Sequence, residues 1–299
     1  MSERATADAV SPAQVTATLV EATWVGAYRR MAFEVDWIAD VAAPGHFVSV
    51  TVGGELSGAL LRRSFSLSEV VPATEGRRGR VELVVAPHGK GSRWLTALDV
   101  GGCVDMVGPS GRPFPLPAEP VSCVLVGGGY GSAPLFWLGR SLRSRGCQVA
   151  MVLGAADEKR LYGVELAAEC ADPVLVTTND GSAGVPGWVS DVLPGLIDDV
   201  GAGQVYACGP MPMLQSVTRI AEAHGATAQV TVEEAMACGI GVCMTCVLPV
   251  EGLDGRTRMV RACTEGPTFR GDLVRWDSFE DGRCRVPSDA VGAPGAGGH

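Results

Sequence analysis

The sequence predicts a multidomain chain of α/β and β character: an antiparallel β-barrel, then an open parallel nucleotide-binding sheet, then a small cysteine-rich segment. Three observations carry this. Short β-like stretches broken by Gly and Pro fill the chain up to about Pro115. From Val121 the pattern changes to apolar strands alternating with helices, opened by a glycine-rich loop. Beyond Glu234, Cys238, Cys243, Cys246 and Cys263 stand in the order C-x4-C-x2-C-x16-C. The expected boundaries are a mobile terminus over 1–11, the barrel over 12–117, the nucleotide domain over 118–231, the cysteine segment over 232–279 and a disordered tail over 280–299.

At 299 residues and 46% hydrophobic content, the chain is long enough for two or three cores. A net charge of −9 argues against a nucleic-acid or anionic-membrane surface. The start M-S-E-R-A-T-A-D-A-V lacks the basic and apolar regions of a secretory signal. A reducing, cytoplasmic setting is therefore expected, with the ten cysteines serving as metal ligands or core fillers. The uncharged run Val121–Leu138 reaches the length of a membrane span, but its four glycines and central proline fit a nucleotide loop better. No membrane span is expected.

In the barrel the expected strands are Gln14–Ala22, Met31–Trp37, Phe47–Val52, Ser64–Ser68, Arg80–Ala86 and Cys103–Val107. Alternation is plain in M-A-F-E-V-D-W-I and V-E-L-V-V. A helix over Ser92–Leu98 is expected to be capped by Ser92. Two pieces carry chemistry. In L-L-R-R-S-F-S-L, a basic residue followed by alternating hydroxyls suggests charge and donors on one strand face. In H-G-K-G-S, glycines meet a helix start, which presents unpaired N–H groups to a phosphate.

The next domain opens with V-S-C-V-L-V-G-G-G-Y-G-S-A-P-L, a buried strand, a glycine loop and a helix from Ala133 to Ser144. Further strands are expected at Cys147–Leu153, Val174–Thr177 and Gln204–Cys208, with helices at Arg160–Cys170, Trp188–Leu193 and Met213–His224. Gly128, Gly129 and Gly131 let the backbone approach a pyrophosphate, and the Cys208-Gly209-Pro210 turn ends a neighbouring strand as a second wall. An acidic residue beyond the second strand, Asp157 or Glu158, is placed to accept ribose hydroxyls and repel a 2′-phosphate, which favours NAD over NADP. Lys159 and Arg160 follow and would pair with such a phosphate if turned inward.

The C-x4-C-x2-C opening is the plant-type two-iron two-sulfur spacing, with Gly239 and Gly241 freeing the backbone to wrap a cluster. A structural zinc clip is the rival, although zinc sites usually pair two short knuckles. Cys103, Cys123, Cys147 and Cys170 fall in or beside apolar segments and read as core. His46, His88 and His224 read as surface or turn residues. Asp272–Trp276 is expected as a closing strand.

These motifs together resemble a family in the ferredoxin reductase superfamily, the electron transfer subunits of dihydroorotate dehydrogenase B. L-L-R-R-S-F-S-L resembles its flavin motif, G-G-G-Y-G-S-A-P-L its nicotinamide loop, and A-C-G-I-G-V-C-M-T-C with C-T-E-G-P-T-F its cluster-binding end. The resemblance spans residues 12 to 278. It implies FAD held by Arg63, Ser64, Phe65 and Ser66, lined by Val84, Val85 and Ala86, with its pyrophosphate at Gly91 and Ser92. It implies a 2Fe-2S cluster on the four cysteines, a nicotinamide site and an FMN-containing catalytic subunit that oxidises dihydroorotate, in a heterotetramer of two of each. The departures are Ser64 for the family's proline, Pro44-Gly45-His46-Phe47 for its P-G-Q-F, and Val85-Ala86 for an aromatic–basic pair.

Two other functions use the same parts. A reductase component of another redox system would carry the same barrel and sheet, commonly with a longer gap before the fourth cysteine. A zinc-clipped scaffold would bind a nucleotide without turnover and would be colourless.

Overall fold

The structure, a computed structural model, describes residues 11–54, 57–280 and 283–291. The expected mobile terminus falls almost entirely outside the described residues, as does the tail from 292 onward.

Seven strands make the first sheet: β1 (Ala13–Val25), β2 (Tyr28–Glu34), β3 (Phe47–Val50), β4 (Arg63–Ser66), β5 (Glu69–Val71), β6 (Arg80–Val85) and β7 (Cys103–Ser110). Helices α1 (Asp36–Val41) and α2 (Lys90–Leu95) sit on its connections. The order is β4-β3-β7-β1-β2-β6-β5, with every neighbouring pair antiparallel. β4 and β5 lie at opposite edges, yet only Leu67 and Ser68 separate them. Leu67 N donates to His46 O at 3.0 Å and Ser68 N to Glu82 O at 2.9 Å, so this link steps between the edges and curls the sheet into a barrel. Alternation in β2 and β6 turns Met31, Phe33, Val81 and Leu83 into a core with Leu19, Val48 and Met106.

The expected strand Met31–Trp37 stops at Glu34, and Asp36 opens α1 instead. Asp36 accepts from Gly79 N at 2.8 Å and from Arg78, bonds that hold its carboxyl below the usual range. Ser92 lies inside the first turn of α2, not at its cap, and reaches back to accept from Gly89 N at 3.0 Å. His46 sits in the expected turn but is buried, with Nδ1 accepting from Ala43 N, and desolvation lowers its pKa to about 4. Cys103, expected in the core, faces solvent.

The second sheet holds β8 (Ser122–Gly128), β9 (Gln148–Ala155), β10 (Val174–Thr178), β11 (Val185–Pro186), β12 (Gln204–Cys208) and β13 (Thr227–Thr231). Between them run α3 (Ala133–Ser144), α4 (Val164–Cys170), α5 (Val189–Val200) and α6 (Met211–Ala223). The strands are parallel in the order β11-β10-β9-β8-β12-β13. The central strands β8, β9 and β12, buried on both faces, read as apolar runs. The expected helix from Arg160 begins only at Val164. Before it, Asp157 caps a short 3-10 turn over Glu158–Arg160, and Gly163 at φ 80° breaks the path.

The cysteine segment adds a hairpin, β14 (Val247–Glu251) with β15 (Thr257–Arg261), and then β16 (Thr268–Arg270). β16 returns to the second sheet, antiparallel to β13. The closing strand is therefore earlier than Asp272–Trp276, which instead falls in tight turns. At the break Gly271 packs against α6, where a Cβ would lie 2.3 Å from Thr218 Oγ1. The tail also differs from the expectation of disorder over its described part. β17 (Phe279–Glu280) pairs with β18 (Arg283–Cys284), the Cys284 thiol donates to Val247 O at 3.0 Å, and Val291 N donates to Thr257 O at 2.8 Å. A thiol bond and a main-chain bond tie it to the hairpin, and Asp289 pairs with Arg275.

Candidate functional site

The four ligand candidates stand as two couples, and among the described residues no three ligand-type side chains gather closely enough to hold a single metal ion. The Cys243 thiol is within hydrogen-bonding reach of Cys238, and Cys263 of Cys246, while Cys263 also feels the charge of Cys238. Two couples suit two irons, each needing two thiolates, whereas a zinc site needs all its ligands about one centre. The loop supplies donors: Ile240 N donates to Cys238 Sγ at 3.5 Å, Gly241 N–H points at Cys263, and Thr245 Oγ1 donates to Cys243 Sγ at 3.1 Å. The Thr245 bond lowers the exposed Cys243 thiol to about 6, while burial pushes Cys263 up to about 12. Gly239 and Gly241 have φ of 70° and 83°, and Met244, at φ 59°, also lies in the left-handed region. Arg261 clamps the turn by donating to Gly241 O at 2.9 Å while it pairs with Glu265. The residues fit an iron–sulfur cluster.

This loop rests on β3, the neighbour of the barrel strand that carries the flavin motif. A Cβ on Gly239 would lie 2.4 Å from Ser49 Oγ, and Ser49 Oγ shares a 3.0 Å hydrogen bond with Ser64 Oγ. Because side chains alternate along β4, Ser64 and Ser66 face one way and Arg63 and Phe65 the other. The same period puts Arg62, two residues before Ser64, on the side of the hydroxyls, as the alternation predicts, and leaves Arg63 on the other. Arg63 turns toward the start of α2, where a Cβ on Gly91 would come within 2.9 Å of its Nε. Its Nη1 donates to Leu61 O at 2.6 Å, and among the described residues it has no carboxylate partner. A guanidinium without a counter-charge beside the first-turn amides of Gly91 and Ser92 fits a pyrophosphate.

A cleft of about 830 Å3 opens where barrel and nucleotide sheet meet. Ala27, Tyr28, Ala86 and His88 line it from the barrel, and Gly128, Gly129, Tyr130 and Pro210 from the sheet. Val84 faces this junction, but Val85 is fully buried in the barrel core and backs that surface without lining it. The two nucleotide loops touch: a Cβ on Gly131 would lie 2.7 Å from Cys208 O, and one on Gly128 2.9 Å from Pro210 Cδ. Gly209, at φ 155°, lies against Gly128. Only glycines allow this approach at the carboxyl ends of β8 and β12, the place where such sheets take their ligands. Burial raises the Cys208 thiol, which sits behind this wall.

Asp157 does not line the cleft; its carboxylate accepts from Arg160 N at 3.0 Å and Arg160 Nη1 at 2.6 Å. Arg160 does line it. Tyr28 ties the domains together, its hydroxyl donating to Arg160 O at 2.9 Å and its ring meeting Tyr130 edge-on at 5.5 Å. Sequence reasoning missed Tyr28, Tyr130, Trp188 and Glu233, all on the cleft wall. Only Glu233 carried a signal, its position five residues before Cys238.

Known proteins share these features. The family model for the iron-sulfur cluster binding domain of dihydroorotate dehydrogenase B matches residues 233–275. The chain is 38% identical over 243 residues to the dihydroorotate dehydrogenase B (NAD(+)) electron transfer subunit of Geobacillus thermodenitrificans, across 79% of this chain and 89% of that one. The namesake subunit of Desulforamulus reducens is 33% identical over 247 residues, across 83% and 92%. A chain of the NADH-dependent reduced ferredoxin-NADP oxidoreductase, solved for insight into flavin-based electron bifurcation, superposes with a TM-score of 0.73 at 28% identity over 87% of this chain and 90% of that one.

Proposed function

The chain belongs to the electron transfer subunits of dihydroorotate dehydrogenase B, and from that premise we propose which of its residues do the work. It is an oxidoreductase subunit of the pyrimidine pathway that passes electrons between a catalytic partner and NAD through a 2Fe-2S cluster and FAD. A flavin exchanges a hydride with a nicotinamide and single electrons with a cluster, so it belongs between the two. The reading rests on one observation: the cysteine loop packs on Ser49 of β3, whose hydroxyl hydrogen-bonds Ser64 of the flavin-motif strand.

Cys238 and Cys243 would hold one iron, Cys246 and Cys263 the other, with Ile240 and Gly241 amides and the Thr245 hydroxyl directed at sulfur. Arg63 would neutralise the FAD pyrophosphate beside Gly91 and Ser92, with Ser64, Phe65 and Ser66 completing the strand and Val84 and Ala86 bordering the cleft. Gly128, Gly129, Gly131, Cys208, Gly209 and Pro210 would shape the nicotinamide side. Asp157, by engaging Arg160, would keep that guanidinium from a 2′-phosphate and so favour NAD. No general base is assigned.

Around the exposed Cys243, Ile240, Val242 and Met244 stand 50%, 75% and 51% exposed. We assign this apolar rim to the docking of an FMN-containing subunit, in an assembly of two copies of each. A reducing, cytoplasmic setting suits a chain whose cysteines serve as cluster ligands or core fillers. Among the described residues, no helix is long and apolar enough to cross a membrane. Co-purification with an FMN-containing dihydroorotate-oxidising subunit tests the assignment: the pair should reduce NAD with dihydroorotate, and the substitution Val242→Asp should break the pairing while iron stays bound. Unimpaired pairing would remove the rim from the interface.

A further inference from the structure

A two-iron cluster takes up one electron and no proton, so the added negative charge stays on the irons and their thiolates. A group that donates a hydrogen bond to a ligand sulfur holds this charge better in the reduced state than in the oxidised one. It therefore raises the potential of the site. The donors around the four cysteines decide how readily electrons enter.

We propose that the Thr245 hydroxyl sets the potential of this cluster, by a bond to the Cys243 sulfur that strengthens when the site is reduced. The inference deepens the functional reading above and rests on it. Thr245 Oγ1 donates to Cys243 Sγ at 3.1 Å. Between them Met244, at φ 59°, turns the chain back, so that a side chain two residues on reaches the sulfur. The other donors, the amides of Ile240 toward Cys238 and Gly241 toward Cys263, belong to the backbone and come with the loop. Apart from the cysteines, Thr245 is the one side chain among the described residues that donates to a ligand sulfur. A cation is also at hand, since Arg261 feels the charge of Cys246 and Cys263. Its guanidinium, however, meets Glu265 at 2.6 Å and 3.3 Å, and that carboxylate offsets its field. The hydroxyl has no such counterweight.

Its position matters as well. Cys243 is the exposed cysteine of the four, ringed by the Ile240, Val242 and Met244 surface assigned above to the partner. A docked partner excludes water from the Thr245–Cys243 bond, and in a lower dielectric a bond to a charged sulfur strengthens. The donor thus steadies an electron at the face that the partner meets.

The test is an anaerobic redox titration of the holoprotein, followed by electron paramagnetic resonance for the cluster and by absorption for the flavin. Thr245→Val keeps the shape and removes the donor. At a fixed ambient potential its ratio of reduced to oxidised cluster should fall about tenfold, a drop of about 59 mV for a one-electron couple. The flavin midpoint, read in the same titration, should not move. Thr245→Ser keeps a donor and should titrate with the wild type, and both variants should keep their iron. Three results overturn the proposal: a valine variant with the wild-type cluster potential, a serine variant shifted as far as the valine one, or loss of iron from the valine variant, which would make Thr245 a structural part of the loop. A wild-type protein that shows no two-iron signal on reduction overturns the functional reading beneath it.

Discussion

In the nucleotide sheet, Val124, Leu125, Met151, Val152 and Val205 are wholly buried along neighbouring strands. In the cluster loop, three residues take left-handed φ, while Ile240, Val242 and Met244 face solvent. The first region is held by apolar area, each large side chain contributing about 1.5–3 kcal/mol on burial. The second buries little and is held by conformation, by the Arg261 clamp and by the ligands of a cluster. Damage to the sheet should therefore appear as lost folding stability, and damage to the loop as lost metal in a protein that still folds.

The largest effect should come from Cys243→Ser. Iron should fall toward zero in the purified protein while FAD stays, because β4 and α2 lie outside the loop. Iron and flavin assayed on one preparation check it, and full iron retention would mean the loop has another ligand set. Next is Leu125→Ala, which removes a side chain from the middle of β8. It should cost about 2–5 kcal/mol in denaturant unfolding, with iron per folded chain unchanged. If iron fell in proportion, the two regions would be one cooperative unit.

Arg63→Ala comes third. Loss of charge-assisted bonds should weaken FAD binding by about 1.5–3 kcal/mol, read as a roughly ten- to hundredfold rise in Kd, while the fold and the cluster persist. Unchanged affinity would remove Arg63 from the pyrophosphate site. The smallest is Met244→Gly. A left-handed Met costs about 1–2 kcal/mol, and glycine relieves this while making the unfolded chain more flexible. The net change should lie between zero and a gain of about 1 kcal/mol, where a glycine in an ordinary position would lose stability. A clear loss in holoprotein unfolding would show that the Met244 side chain matters more than its backbone.

The same contrast explains what the sequence made legible. α3 over Ala133–Ser144 and β12 over Gln204–Cys208 match their expected bounds, because buried helices and strands announce themselves by period and by flanking glycines. The four cysteines stood out by spacing alone. The V-D-W-I stretch misled because alternation continues into α1, where Asp36 instead binds Arg78 and Gly79. β5 has only three residues, and Pro249 interrupts the β14 pattern, so neither stood out. Within the site, Val85 pointed inward because strand alternation allots every second residue to the core. The engagement of Asp157 by Arg160, and the convergence of Tyr28, Tyr130 and Glu233 on one cleft, depend on how two domains meet. No local pattern encodes that.

The central claim is that one chain joins a nicotinamide site to an iron–sulfur cluster through a flavin. Anaerobic titration of the purified protein with NADH tests it directly, with visible absorption and electron paramagnetic resonance read on the same samples. The account predicts a brown protein with flavin bands, with iron and acid-labile sulfide in equal amounts. On NADH addition the flavin bands should bleach and the signal of a reduced two-iron cluster should rise. A colourless protein containing zinc, or a flavin that bleaches while the cluster stays oxidised through many equivalents of NADH, would contradict it.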